Sequence, residues 1–186
     1  MNIGFAMCGS LCTFDSVFAA MESVAREHTL IPILSKPSSQ MDSRFGTAQE
    51  HIQAVTRICG REPLMTIEEV EPIGPKKILD ALVIAPCTGN TLAKLAHSIA
   101  DGPVTMAAKS HLRNGRPILI AISTNDGLAG AAENIGKLLG RKNYFFVPFG
   151  QDDPFKKPTS IVAHFERILP ALNLMLEGKQ IQPMLQ

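Results

Sequence analysis

The segment from Pro86 to Asp101, PCTGNTLAKLAHSIAD, places small polar side chains directly after the apolar run ALVIA. Thr88, Asn90 and Thr91 stand together at the point where a helical pattern begins. Hydroxyl and amide groups beside the free N–H groups of a helix start can bind an anion, and the helix dipole adds attraction. The alternative is that these residues are ordinary helix caps. Taken alone, the segment allows both interpretations.

Three other predicted strand ends carry the same kinds of residue. CGSLCT follows the first strand, SKPSS closes the second, and STNDG follows the run PILIAI; they contribute Gly9, Ser10, Ser35, Ser123 and Asn125. In a doubly wound sheet, ligands bind beyond the carboxyl ends of the parallel strands. Because four such loops would meet at one edge, a phosphate-bearing ligand explains them better than four independent caps.

The nature of the phosphate ligand is narrowed by motifs that are missing. GFAMCGSLC lacks the glycine spacing of the dinucleotide fingerprint, and Ser35 ends the second strand where a ribose-binding carboxylate would be expected. No Walker-type Gly-Lys-Ser/Thr loop occurs. NAD and ATP are therefore disfavoured as the primary ligand. A mononucleotide phosphate held by hydroxyl groups suits FMN in a flavodoxin-like arrangement.

Other reactive side chains give weaker signals. The cysteines Cys8, Cys12, Cys59 and Cys87 include no Cys-x-x-Cys pair, so we expect reduced and mostly buried thiols, or else a Cys8 or Cys87 that approaches a ligand. The histidines His28, His51, His97, His111 and His164 lack a Ser or Cys partner at a recognisable spacing, which favours surface or half-buried roles. Lys94 either reaches the site or is solvated, and Lys36 and Arg44 are candidates for meeting a dicarboxylate.

The elements that must position these residues alternate between strand and helix. The pattern predicts strands at 2–8, 30–35, 64–67, 81–86, 117–123 and 144–149, and helices at about 14–27, 47–59, 90–100, 104–112, 126–139 and 160–177, with 68–77 irregular. Continuous hydrophobicity in ALVIAP indicates burial on both faces, and Pro32 favours a sheet edge or a strand start. We therefore predict a doubly wound, mostly parallel α/β sheet with helices on both faces, flavodoxin-like or Rossmann-like.

Composition sets the broad class of the protein. The 186 residues, 45% of them apolar, suffice for one substantial core, so we predict one domain spanning residues 1–186. Eighteen basic and seventeen acidic residues give a net charge of +1. The chain therefore lacks the excess of positive charge that is typical of nucleic-acid-binding proteins. No apolar run approaches the roughly 18 residues of a membrane span, and no charged leader precedes the first apolar stretch. We expect a cytoplasmic protein.

PCTGNTLAKLAHSIAD resembles the Pro-x-Thr-x-Asn-Thr-x-Ala-Lys segment of the flavoprotein family that includes the cysteine decarboxylases and the flavin prenyltransferases. The likeness extends over most of the chain, through Gly9, Ser10, Ser35 and the Asn125 of STND. It implies that the phosphate and ribityl chain of FMN lie among Gly9, Ser10, Ser35, Thr88, Asn90 and Thr91. It also implies that Ser123 and Asn125 lie nearer the isoalloxazine ring or the substrate.

Within the family, the likeness of MNIGFAMCGSLCTF and of the segment from Ala85 to Pro117 extends to one component of a two-component oxidoreductase that acts on a cyclic dicarboxylate. It implies a partner, the other component of that enzyme, that carries NAD(P). Aromatic residues make up only 5% of the chain, so a homo-oligomer with a neighbouring protomer as the wall of the flavin site is expected, with Ile99, Val104 and Met106 as contacts. The alternatives are a stand-alone flavin-dependent decarboxylase or prenyltransferase, and a non-catalytic stabilising component.

Two features depart from the family pattern. The decarboxylases carry a Pro-x-Met-Asn segment and a catalytic histidine between their third and fourth strands, whereas this chain reads ISTND and has no histidine from Arg61 to Ala96. We therefore expect no decarboxylation of cysteinyl substrates. Ser98 also stands where the wider family usually has glycine.

Overall fold

A computed structural model describes all residues from 1 to 186 and contains one seven-stranded sheet. The strands are β1 (Asn2–Met7), β2 (Thr29–Leu34), β3 (Ala81–Cys87), β4 (Ile118–Thr124), β5 (Tyr144–Phe146), β6 (Phe149–Gly150) and β7 (Ile161–Ala163). The first five are parallel in the order β2-β1-β3-β4-β5, and β6 and β7 add an antiparallel pair beside β4. The predicted mostly parallel α/β sheet is confirmed.

Eight helices cover the sheet. They are α1 (Phe14–Ala25), α2 (Lys36–Gln40), α3 (Ala48–Cys59), α4 (Ile67–Val70), α5 (Gly89–Ala96), α6 (Pro103–Leu112), α7 (Ala132–Leu139) and α8 (Ile168–Leu176). Helix α1 packs against α3 and α8, whereas α6 packs against α4 and α5, and α5 against α7. The chain winds from β1 outward to β2 and then from β3 outward to β5, so the order reverses between β1 and β3. A ligand crevice is expected at such a reversal.

The apolar runs of the sequence form the centre of the sheet. Every residue of β3 is buried, and six of the seven residues of β4 are buried. Continuous burial of this kind requires cover on both faces, as the sequence pattern predicted. Strand β2 is at the outer edge of the parallel strands, where the missing N–H of Pro32 costs least.

Strand β4 has two neighbours along one edge. Residues 118–120 pair with the parallel strand β5, whereas Ser123 and Thr124 pair with the antiparallel strand β7. The segment 149–163 therefore returns to the carboxyl end of β4. This arrangement brings a part of the chain that is distant in sequence to the edge where the predicted site residues lie.

Helix ends follow local chemistry. Helix α3 begins with a capping box, in which the Glu50 N–H donates to the Thr47 hydroxyl at 3.2 Å and the Thr47 N–H donates to the Glu50 carboxylate at 2.7 Å. It ends at Gly60, whose φ of 66° lies in the left-handed region. The predicted helix at 47–59 is confirmed by these signals.

Helix α5 ends at Ala96, earlier than the predicted Ala100. Ser98 has a φ of 59°, and its N–H donates to the Leu95 carbonyl while the Ile99 N–H donates to the Lys94 carbonyl. These two hydrogen bonds form a Schellman motif, which needs a left-handed residue at this position. Glycine adopts that conformation without strain, whereas a serine adopts it at some cost.

The prediction of one closing helix at 160–177 is wrong, because this segment forms β7, a 3-10 turn and then α8. The predicted last strand, YFFVPF, is divided into β5 and β6. Val147 donates its N–H to the Ile120 carbonyl, but Pro148 has no N–H, and its carbonyl accepts from His164 beside β7. The chain therefore changes its pairing partner between Phe146 and Phe149.

Two further boundaries differ from the prediction. Helix α7 begins at Ala132 and not at Asp126, because the Asp126 carboxylate accepts from the Thr124 hydroxyl and the Leu128 N–H donates to the Thr159 carbonyl. The predicted strand at 64–67 is reduced to a bridge between Leu64 and β2. The chain then turns into α4, a single helical turn within the segment predicted as irregular.

Candidate functional site

The carboxyl ends of β1, β2, β3 and β4 open onto two adjoining cavities of about 560 and 250 Å³. The larger is lined by Gly9, Ser35, Thr88, Asn90 and Thr91, and the smaller by Gly9, Ser10, Thr88, Ser123 and Asn125. All eight residues singled out from the sequence therefore lie on one or both cavities. The two cavities share Gly9 and Thr88, so they lie next to each other.

The start of α5 forms one wall of the larger cavity. The Thr88 hydroxyl accepts from the Thr91 N–H at 3.3 Å and lies 3.1 Å from the Thr91 hydroxyl. Thr88 is thus a helix cap, as the alternative interpretation of the sequence proposed. Asn90 is exposed, and its side chain has no hydrogen-bond partner in the chain. Its amide is the free polar group of this wall.

Beneath that wall lies a buried thiol. The Thr91 hydroxyl donates to Cys8 Sγ at 3.2 Å, and Cys8 is 1% exposed. Burial raises the pKa of the Cys8 thiol to about 11, although the hydrogen bond from Thr91 lowers it in part. Cys8 therefore stays a neutral thiol at neutral pH. It lines the larger cavity, as one of the two interpretations of the cysteines expected.

The opposite wall comes from the end of β2. The Ser35 hydroxyl caps the short helix α2 by accepting from the Ser38 N–H at 3.4 Å. Gly9 lies close to this helix, because a Cβ at that position would stand 3.0 Å from Pro37 Cβ. A side chain at residue 9 would press on Pro37 and narrow the larger cavity.

The larger cavity is more basic than acidic. Lys36 and Lys94 line it together with one acidic residue, Asp101. Lys94 Nζ lies 2.9 Å from both carboxylate oxygens of Asp101, and this hydrogen bond lowers the pKa of Asp101. Lys94 therefore reaches the site, where it is paired. Arg44, the other candidate cation, lies over the Phe45 ring and does not line either cavity.

The smaller cavity is lined by hydroxyl and amide groups. Ser10 Oγ and Ser123 Oγ are 2.7 Å apart and join the ends of β1 and β4. The backbone carbonyl of Asn125 accepts from the Thr159 hydroxyl at 2.7 Å, which fixes the backbone at this residue. The side-chain oxygen of Asn125 is 3.5 Å from Ser160 Oγ. The Asn125 side-chain amide nitrogen has no partner in the chain.

Seven residues of the smaller cavity were not selected from the sequence, and four of them bear on its chemistry. These four are Cys12, Asp152, Lys157 and Ser160. Cys12 is the one exposed cysteine, whereas the four thiols were expected to be mostly buried. The other three follow β6, and only the pairing of β7 with β4 brings them to the site. No local motif in GQDDPFKKPTS signals that long-range contact.

The histidines lie elsewhere. None of the five lines either cavity, and His51 and His111 are buried. Burial lowers the pKa of His111 to about 4, and its ring hydrogen-bonds the Pro117 carbonyl at 3.0 Å. His111 therefore has a structural role.

None of the helices has the length and apolar character that crossing a membrane requires.

A family model described as Flavoprotein matches residues 1–148, which end shortly after β5. The chain belongs to the Flavoprotein family. It is 42% identical to the B subunit of dipicolinate synthase from Bacillus subtilis (strain 168) over 185 residues, which cover 99% of this chain and 92% of that protein. Flavoprotein relatives thus span nearly the whole sequence.

Solved structures agree with the family assignment. The crystal structure of the dipicolinate synthase B subunit from Bacillus halodurans superposes with a TM-score of 0.91 at 39% identity, covering 100% of this chain and 95% of that one. An FMN-dependent cysteine decarboxylase superposes with a TM-score of 0.68 at 18% identity, covering 95% and 97%. The second likeness shows a shared Flavoprotein fold only.

The site geometry is compatible with a flavin mononucleotide. The larger cavity falls within the usual volume range of small-molecule sites. One wall offers the unpaired Asn90 amide beside the start of α5, and another is kept open by the absence of a side chain at Gly9. These groups suit an anion, because helix starts and amide donors favour negative charge. The smaller cavity adjoins the larger at Gly9 and Thr88.

Proposed function

We propose that this chain is the FMN-binding B subunit of a dipicolinate synthase, which takes part in the oxidation of dihydrodipicolinate to pyridine-2,6-dicarboxylate. The observation that carries this proposal is the meeting of all eight sequence-selected residues on two cavities that share Gly9 and Thr88. The 42% identity to the Bacillus subtilis protein supports the choice of reaction.

In this proposal the larger cavity holds the cofactor phosphate, and the smaller cavity faces the ring or the substrate. The FMN phosphate lies in the larger cavity, where Asn90 and the start of α5 supply donors and Lys36 adds positive charge. Gly9, Ser10, Ser35, Thr88 and Thr91 surround the phosphate and the ribityl chain. Ser123 and Asn125 of the smaller cavity then stand beside the isoalloxazine ring or the substrate.

The reaction removes two hydrogens from the substrate ring, equivalent to a hydride and a proton. When bound, FMN supplies a two-electron acceptor at this site. Because the ring gains aromaticity, the driving force lies in the substrate, and the protein contributes binding and orientation. The donors available for this are the Ser10–Ser123 hydroxyl pair and the free amide of Asn125.

A second protein completes the enzyme in this proposal. The A subunit of dipicolinate synthase carries NAD(P) as the nicotinamide-binding partner, and the two proteins act together in the cytoplasm of the mother cell of a sporulating bacterium. The relatives are described as B subunits, and this description supports the need for a partner.

We also propose a homo-oligomer. Of the three predicted contact residues, Val104 is 3% exposed and belongs to the core of its own chain, so its placement at an interface was wrong. Ile99 is 48% exposed and Met106 is half-buried, and they remain candidates for a contact between protomers. Sedimentation should give a mass above the 20.1 kDa of the monomer, whereas a strictly monomeric species would contradict this proposal.

Two measurements test the function. The purified chain titrated with FMN should show the shifted visible absorbance of a bound flavin. Dihydrodipicolinate should then yield pyridine-2,6-dicarboxylate when this chain and its nicotinamide-binding partner are both present. Either protein on its own should form the product more slowly. Absence of flavin binding would reject the cofactor, and equal rates with and without this chain would reject its role in the reaction.

A further inference from the structure

The segment Phe149–Ala163 forms one side of the smaller cavity and lies beyond residues 1–148, which the Flavoprotein model matches. Its strand β7 pairs with β4 so that Val162 is opposite Ser123. The part of the chain that follows the shared family region thus adds residues directly beside predicted site residues. A segment so placed is suited to determine which substrate the shared cofactor site accepts.

Lys157 is the single basic residue among the twelve that line the smaller cavity. Its Nζ lies 3.2 Å from Asp152 Oδ2, and both side chains are partly exposed. An ammonium group has three N–H donors, and Asp152 is the partner of one of them in the chain. Two donors of Lys157 are therefore available to a ligand.

Asp152 pairs with this lysine, and the Ser160 N–H donates to the Lys157 carbonyl at 2.9 Å. Partial burial raises the pKa of Asp152, but hydrogen bonds from Ser160 and Lys157 lower it more, so that the carboxylate stays ionised. Ser160 is 1% exposed, and its hydroxyl also lies 3.4 Å from the Thr124 carbonyl. This contact links the 151–160 loop to the end of β4.

We propose that Lys157 binds a carboxylate of a cyclic dicarboxylic acid in the smaller cavity, and that Phe149–Ala163 thereby determines substrate specificity. This inference rests on the proposed function, because it assigns the substrate to the same site. The cavity of about 250 Å³ offers one ammonium group, which is paired with the Asp152 carboxylate, and several hydroxyl and amide donors, and this set suits the carboxylates of a single-ring acid. The free Asn125 amide and the Ser10–Ser123 pair are the donors left for the rest of the ligand.

The test uses the full chain and pyridine-2,6-dicarboxylate as the probe, with binding measured by calorimetry in the presence of saturating FMN. Lys157→Met should weaken binding roughly tenfold to a hundredfold, because a charge-assisted hydrogen bond is lost. Lys157→Arg should retain most of the affinity. Lys156→Met is the matched control, since Lys156 lies in the same loop but does not line the cavity, and it should bind as the parent does.

The proposal would be overturned if the parent chain bound the diamide of the probe as tightly as the dicarboxylate, because the charge of the probe would then contribute nothing to binding. Equal affinity of Lys157→Met and the parent would overturn it too, as would absence of probe binding by the parent. Thermal melting and FMN titration of each variant separate these results from misfolding. If the parent fails to bind FMN, the proposed function fails, but the probe titration still decides whether Lys157 binds a dicarboxylate.

Discussion

The hydroxyl oxygen of Ser10 lies 2.7 Å from that of Ser123, although 113 positions separate the two residues in the chain. One of the two hydroxyl hydrogens forms this hydrogen bond, and the hydrogen of the other hydroxyl has no acceptor within the pair. The nearest alternative acceptor is Cys12 Sγ, 3.9 Å from Ser10 Oγ, and sulfur is a weak acceptor. The pair therefore offers one O–H donor to a ligand oxygen at the meeting point of β1 and β4.

Replacement of Asn90 should affect ligand binding without affecting the fold. Its side chain is exposed and unpaired, so Asn90→Leu removes only a donor to the FMN phosphate. We expect a loss of roughly 1.5 to 3 kcal/mol in FMN binding, with an unchanged free energy of unfolding. Fluorescence titration and urea denaturation measure the two quantities. Asn173→Leu, at an exposed position of α8, is the control, and equal FMN affinity in both variants would remove Asn90 from the site.

Cysteinyl substrates should not be decarboxylated. The site contains neither a histidine nor the Pro-x-Met-Asn segment of the decarboxylases, and its strand end reads ISTND. Incubation of the FMN-loaded chain with a peptide ending in cysteine, followed by mass spectrometry, should show no loss of carbon dioxide beyond that in a heat-inactivated sample. Turnover at an enzymatic rate would contradict the assignment and favour a decarboxylase.

Ser98→Gly should stabilise the protein. The φ of 59° costs a serine more than a glycine, so we expect a gain of about 0.5 to 1 kcal/mol in the free energy of unfolding. The reverse change is the matched control. Gly60→Ser introduces a Cβ into open space at a φ of 66°, and it should destabilise by a similar amount. Denaturant titrations that showed no change in either variant would mean that backbone conformation does not limit these helix ends.

The buried Cys8 thiol should make stability depend on pH in the alkaline range. Its pKa is raised from 9 to about 11 in the folded protein, so the folded state keeps its proton when the unfolded chain has lost it. The resulting stabilisation is fully present below pH 9 and is lost between pH 9 and about 11, at a limiting slope of about 1.4 kcal/mol per pH unit. Cys8→Ala should show a shallower decline in this range. Parallel curves for variant and parent would show that Cys8 ionises equally in both states.

The strands that position the site could be predicted because each is a dense apolar run that ends in small polar residues. ALVIA followed by Thr88, and PILIAI followed by Ser123, signal both burial and a strand end within a few residues. The parallel order of such strands then brings their ends together. Residues predicted in this way needed no knowledge of distant contacts.

Lys157 and Ser160 could not be predicted because their position depends on the pairing of two very short strands. Residues 161–163 form β7, but the pattern IVAHFERIL has apolar residues at helical spacing and reads as the start of α8. Their strand conformation is stabilised by hydrogen bonding across to β4 and β6, a long-range effect that overrides local preference.

The divided edge of β4 has a consequence for how the chain unfolds. Residues 118–120 pair with β5, whereas Ser123 and Thr124 form their inter-strand hydrogen bonds with β7. Helix α8 also packs against β4. A fragment cut after residue 148 would lack β7 and α8, so the backbone groups of Ser123 and Thr124 would lose their pairing partners and β4 would lose the cover of buried α8 side chains such as Leu172. We expect calorimetry of the intact chain to show one melting transition and partial proteolysis to release no stable fragment of that length. A deletion near the carboxyl terminus would therefore destabilise β4 at the centre of the sheet, and its effect would not be confined to the edge of the sheet.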